Sequence, residues 1–99
     1  MEEITDQEIA ARVLAGEVNY FRLIVERYQQ SIIKFIYYNI PNPNVVEDIA
    51  QETFFRAYKY LHSYNPDQTM KNWLFAIAVN QCRRQNLISS CFSPITSCE

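Results

Sequence analysis

The sequence predicts an all-α protein, a compact bundle of about four helices. Three observations predict it. Close to half of the 99 residues are apolar, enough for a core and too many for a disordered chain. Gly16 is the one glycine, whereas a sheet-rich domain needs glycine at many of its tight turns. Apolar residues recur at steps of three and four along most of the chain, and short polar or proline-bearing breaks separate the runs. The length suits one domain, expected over residues 1–87, with an irregular tail over 88–99.

The first helix is expected to open at Thr5-x-x-Glu8, a capping-box pattern. Here Thr5 accepts a backbone N–H bond and Glu8 reaches back to the cap. Ile9, Val13 and Leu14 form its apolar stripe. Gly16 ends it, because glycine takes the left-handed conformation that follows a last turn. The second helix is expected from Val18 to Asn39, with Phe21, Ile24, Val25, Tyr28, Ile32, Phe35 and Ile36 on the helical rhythm. Pro41 and Pro43 stop it.

Asn44-x-x-Glu47 is the expected cap of a third helix over Val45–His62, buried through Val46, Ile49, Ala50, Thr53, Ala57 and Leu61. Ser63–Thr69 is polar and carries Pro66, so it reads as a loop. Thr69 caps a fourth helix to about Asn86, whose inward side is Trp73, Leu74, Ile77 and Ala78. Beyond Leu87 no useful periodicity remains, which marks a frayed tail.

Charge and cysteine content narrow the function. The formal net charge is −2, unlike a free-standing duplex binder, which relies on phosphate neutralisation. A local basic strip remains compatible with that balance. Cys82, Cys91 and Cys98 match no zinc spacing and no disulfide framework, so no metal or cofactor is expected. An enzyme is not expected either. His62 is the lone histidine and there is no phosphate-cradling glycine loop. The acidic start, Met1-Glu2-Glu3-Ile4-Thr5-Asp6, has no apolar run behind it. Neither a signal peptide nor membrane insertion is expected, and the expected location is the cytoplasm.

Two polar stripes exceed what a plain core needs. On the third helix Asp48, Gln51, Glu52 and Phe55 lie at i, i+3, i+4 and i+7, on one face. This is either a solvated acidic face or, given Phe55, a protein-docking surface with an apolar anchor and a charged rim that suits a basic helix. On the fourth helix Asn72, Ala76, Asn80, Arg83 and Arg84 lie close to one line. Lys71 sits next to its start, and Phe75 and Val79 flank it. Asparagine offers a donor and an acceptor to a base edge, and arginine contacts phosphate. A solvated face with a basic last turn fits the same residues. The loop holding Tyr64, Asn65, Asp67 and Gln68 is either a plain connection or a pocket for an extruded base.

These residues carry a resemblance. Asp48-Ile49-Ala50-Gln51-Glu52-Thr53-Phe54, the loop with Tyr64, and Trp73-Leu74-Phe75-Ala76-Ile77-Ala78-Val79-Asn80 resemble region 2 of a bacterial RNA polymerase sigma factor of the extracytoplasmic-function group. Val13–Phe21 and Leu23–Tyr28 resemble that group's opening, so the likeness covers about residues 5–86. It implies that Asp48, Gln51 and Glu52, with Phe54, Phe55 or Tyr58 packing alongside, contact core RNA polymerase at the β′ clamp helices. It implies that the Ser63–Thr69 loop, with Tyr64, Asn65, Asp67 and Gln68, receives a flipped base of the promoter minus-ten element on the non-template strand. Asn80, with Asn72, Phe75, Arg83, Arg84 and Lys71, then reads or holds adjacent nucleotides, and Arg56 and Lys59 add backbone contacts. Trp73 matches a family tryptophan, for which a core role is expected.

There are departures from the family pattern. Region 4, which reads the minus-thirty-five element, has no counterpart up to Glu99. Arg83-Arg84-Gln85-Asn86 replaces the usual Asp-x-x-Arg, and Ala76 stands where an arginine is common. The expected function is a sigma-like transcription initiation module that binds polymerase and recognises and melts the minus-ten element. The alternative is an interaction-only decoy or truncated sigma-like protein that occupies polymerase or an anti-sigma factor without initiating.

Overall fold

The computed structural model describes residues 4–92, with side-chain surroundings through Gln85. The order is α1 (Asp6–Leu14), a 3₁₀ turn (Val18–Tyr20), α2 (Phe21–Asn39), α3 (Pro43–Lys59), a second 3₁₀ turn (Leu61–Ser63) and α4 (Met70–Phe92). Among the described residues there is no strand, and no helix is long and apolar enough to cross a membrane.

Half of the expected capping box forms on α1. Thr5 Oγ1 accepts the Glu8 N–H at 3.1 Å, but the Glu8 carboxylate lies 3.6 Å from the Arg12 guanidinium, one turn on. At the other end Gly16 has φ +112°. Its N–H reaches the Val13 carbonyl at 3.0 Å and the Glu17 N–H reaches the Arg12 carbonyl at 2.9 Å. That pair of bonds is the Schellman closure, and the positive φ strains any residue with a Cβ.

α2 begins at Phe21 rather than Val18, because Val18–Tyr20 winds as the tighter 3₁₀ turn. Its stripe is inward as expected: Ile24, Ile32 and Ile36 are essentially inaccessible, each worth roughly 1.5–3 kcal/mol of burial.

The start of α3 differs from the expectation. Asn42 caps it, its side-chain oxygen accepting the Asn44 N–H at 3.1 Å. Pro43 therefore opens α3 instead of closing α2, at a position whose N–H has no intrahelical acceptor to lose. Within α3 the buried Thr53 hydroxyl donates to the Ile49 carbonyl at 2.8 Å, which satisfies it inside the core. The helix stops at Lys59, and Leu61–Ser63 tighten into the 3₁₀ turn that carries Leu61 into the core.

Thr69 caps α4 as expected, accepting the Asn72 N–H at 3.1 Å. The expected end at Asn86 is overrun. Residues 88–92 are helical where an irregular tail was expected, and the rest of that tail, 93–99, lies outside the described residues. No proline or glycine stands between Met70 and Pro94. Losing periodicity removes the packing signal without removing the backbone's ability to continue.

α2, α3 and α4 pack pairwise, and α1 closes against α2. A clasp holds α1 there. The Asp6 carboxylate accepts from Arg27 Nη1 at 2.7 Å and from the Tyr28 hydroxyl, and Arg27 Nη2 donates to the Ile4 carbonyl. Desolvation first, and Asp6 second, push the Tyr28 phenol up to about 12. The three long helices leave grooves between them, and these grooves hold the candidate surfaces.

Candidate docking and nucleic-acid surfaces

The expected face of α3 is exposed, but it is not one surface. Gln51, Phe55 and Tyr58 border the groove toward α2, whereas Asp48 and Glu52 border the groove toward α4. The reason is the 100° advance per residue, which sets Gln51 and Glu52 on opposite slopes of the same ridge.

The α2–α3 groove has a volume of about 430 Å³ and is mainly apolar. Phe21, Val25, Ile33, Ala50 and Phe54 line it. Phe55 is 56% exposed and Tyr58 42%. The Tyr58 ring meets Phe21 edge-on at 5.4 Å, which holds part of this aromatic rim in place. Glu47 and Gln51 supply the polar edge. An apolar slot with exposed rings and an acidic margin suits the apolar side of a basic protein helix.

The α3–α4 groove, about 360 Å³, is mixed, with Ile49 among its lining residues, and is richer in charge than the α2–α3 groove. Asp48, Glu52, Arg56, Gln81, Arg84 and Gln85 border it. Arg56 Nε donates to Glu52 Oε2 at 2.8 Å, so a residue expected at polymerase and one expected at DNA are paired. Arg56 also lines a neighbouring pocket of about 250 Å³ with Tyr60, Ser63, Trp73, Ile77, Asn80 and Gln81. That pocket combines aromatic walls, two amides and a guanidinium, the set that stacks on and hydrogen-bonds an unpaired base.

The remaining expected residues divide clearly. Asn72, Asn80, Arg83 and Arg84 are exposed on α4, with Ala76 between them. Lys71 sits with its amine 5.9 Å from the Phe75 ring centre. Phe75 itself is half-buried, packed on Phe35 at 5.0 Å, so it offers an edge rather than a free face. The Lys59 amine lies 6.0 Å from the Phe55 ring centre and 5.6 Å from that of Tyr60, a cation held between the two surfaces.

Tyr64 departs from its expected place at a base. Its ring is buried against Trp73 at 5.2 Å, and its hydroxyl donates to the Gln68 carbonyl at 3.0 Å. Burial, with Asp6 as the second cause, pushes its phenol up. Tyr64 thus ties the loop shut from inside. Asn65 is also used locally, its side-chain oxygen accepting the Asp67 N–H at 2.9 Å. Asn65, Asp67 and Gln68 are exposed but form no wall of the pocket beside Asn80; of the loop, Ser63 does. Trp73 serves both ends, half-buried against Tyr64 and lining the pocket.

Sequence reasoning missed Tyr60 and Gln81. Tyr60 follows Arg56 by four residues, a spacing that was available as a signal. Gln81 is 8% exposed. An amide on the inward side of a helix breaks the apolar pattern, and that break was its only mark.

The Sigma-70 region 2 family profile matches residues 24–86. The ECF RNA polymerase sigma-E factors of Salmonella typhimurium and of Escherichia coli strain K12 are each 37% identical to this chain over 82 residues, 83% of this chain and 42% of theirs. That of Haemophilus influenzae is 33% identical over 82 residues. An NMR structure of the complex formed by an engineered region 2 of sigmaE with GTAAAA superposes with a TM-score of 0.80 at 34% identity, covering 91% of this chain and 94% of that one. The chain belongs to the Sigma-70 region 2 family, in its extracytoplasmic-function group. It spans about four-tenths of the length of the curated relatives it matches.

Proposed function

We propose that this chain is a transcription initiation module that docks on core RNA polymerase through α3 and recognises and opens the promoter minus-ten element through α4 and the pocket at Asn80. One observation carries the reading. Asn80 is exposed at the mouth of a base-sized pocket, on a domain whose structural neighbour was solved in complex with GTAAAA. The docking side rests on Asp48, Gln51, Glu52, Phe55 and Tyr58, with the β′ clamp helices as the partner the family resemblance implies. Promoter DNA, on its non-template strand, is the second partner, and both belong to the cytoplasm.

The mechanism is binding without bond-making chemistry. Extruding a base costs a few kcal/mol, which stacking and edge hydrogen bonds in a pocket offset. Held on polymerase, the domain meets DNA at a high effective concentration, so weak intrinsic affinity suffices despite the net charge of −2.

Run-off transcription with core polymerase on a template carrying only a minus-ten element tests the proposal. Product is expected, and it disappears with Asp48→Ala combined with Gln51→Ala, which also removes binding to core polymerase while the helical spectrum is retained. Binding to polymerase without any product would instead support the decoy reading, in which the chain occupies polymerase or an anti-sigma factor.

A further inference from the structure

Gln81 is out of place in the interior of α4. It is 8% exposed, next in the chain to the buried Cys82 and three residues from the buried Ala78. Among the described residues no side-chain hydrogen bond involves it. Its amide is not sealed, because Arg12 Nε is the sole inaccessible side-chain polar atom without a partner among those residues. The amide therefore keeps a little contact with the surface. That contact opens into the α3–α4 groove and into the pocket beside Asn80, since Gln81 lines both. Burying an amide forfeits its hydrogen bonds to water, and folded chains rarely leave one unmatched.

The rest of the pocket limits what the amide meets. Tyr60 and Trp73 bring rings, and Trp73 is fixed by its packing on Tyr64 at 5.2 Å. Arg56 brings donors only, and its Nε is already given to Glu52. Asn80 is exposed at the mouth, whereas Gln81 is buried in the wall. Within that buried wall Gln81 alone sets a donor and an acceptor side by side. Adenine carries the matching pair on one edge, its N6 amine next to the N7 acceptor. On the same edge guanine offers two acceptors, cytosine a donor and thymine an acceptor.

We infer that Gln81 determines which base this pocket accepts: its amide oxygen accepts from the N6 amine of an unpaired adenine, and its amide nitrogen donates to N7 of the same base. Tyr60 and Trp73 supply the stacking surfaces. The inference rests on the function proposed above and adds to it the identity of one base and the residue that reads it.

The test replaces each adenine of labelled GTAAAA in turn, first by 7-deazaadenine, which lacks N7, and then by purine, which lacks the N6 amine. Binding to the 99-residue chain is followed by fluorescence anisotropy. At one position both replacements are expected to weaken binding about fivefold or more, the effect of stranding one buried hydrogen-bonding group. Gln81→Met keeps an unbranched side chain and removes both hydrogen-bonding atoms. In that variant the two analogues cost nothing further at the sensitive position. A side chain that only packs would weaken every oligonucleotide alike and leave the analogue ratios at their parent values. Asn80→Ala changes an exposed residue, and the analogue losses are expected to persist in it.

A parent chain that binds GTAAAA and all of its analogues equally overturns the inference, whether or not Gln81→Met folds. So do analogue losses that survive Gln81→Met or that vanish with Asn80→Ala. In each of these cases GTAAAA still binds, so the proposed function stands and the role of Gln81 alone falls. If the parent binds GTAAAA neither alone nor on core polymerase, both fall.

Discussion

The two slopes of α3 are made of different chemistry. Toward α2 the helix shows rings and aliphatic carbon, with Phe54, Phe55 and Tyr58 meeting Phe21, Val25 and Ile33. Toward α4 it shows charge and amide, with Asp48, Glu52 and Arg56 meeting Gln81 and Arg84. Under the proposed function one helix serves two neighbours of different kind, a protein held mainly on the apolar side, with Asp48 and Glu52 extending its rim, and a nucleic acid near the polar one. Phe55 and Tyr58 line neither the α3–α4 groove nor the pocket at Asn80, so substituting them should leave nucleic-acid affinity in place.

The largest expected effect is on the apolar slope. Phe55→Ala with Tyr58→Ala should cost at least about 2 kcal/mol of affinity for core polymerase, the range of aromatic anchors at an interface centre, while GTAAAA binding stays within error in a fluorescence titration. Equal losses on both readouts would break the division. Next comes the α4 side. Asn80→Ala should cost about 1–3 kcal/mol in binding a minus-ten oligonucleotide, the worth of one good side-chain-to-base pair, with polymerase affinity unchanged by competition assay. If oligonucleotide binding is unaffected, the pocket is not the reading surface.

The smallest effect serves as a control, because it touches neither slope. The Tyr28 phenol is raised from 10.0 to about 12 in the folded chain. Between those values the folded state holds a proton that the unfolded state has lost, so the contribution is fully present below pH 10 and is lost as pH rises toward about 12. Melting temperatures over that window should fall, and Tyr28→Phe should flatten the decline. A decline that Tyr28→Phe leaves unaltered would assign the alkaline loss to other groups.

Most of the fold was legible from periodicity and punctuation. The inward positions of α2 and α3 followed from their spacing, and Thr5, Gly16 and Thr69 marked helix ends through local backbone bonds that need no distant partner. Legibility failed where two local signals competed. Asn42 and Asn44 both suit a cap, and Pro43 between them either closes one helix or opens the next; the observed Asn42 cap decides for opening. It failed again at Tyr64, where the loop's polarity left a plain connection or a base pocket open and gave no sign that the ring is buried against Trp73.

Residue order alone thus settled the helical class, the main helices and which residues share an azimuth on each, because those properties depend on neighbours within a few positions. The stripe of Asp48, Gln51, Glu52 and Phe55 was readable in that way. Its division into two slopes was not, since an azimuth acquires meaning only when α2 and α4 pack on either side of it. The same holds for the pocket that joins Tyr60 and Ser63 to Asn80, and for the inward turn of Tyr64 and Gln81. These are contacts between segments distant in sequence, selected by how the helices' buried surfaces fit together rather than by any local preference.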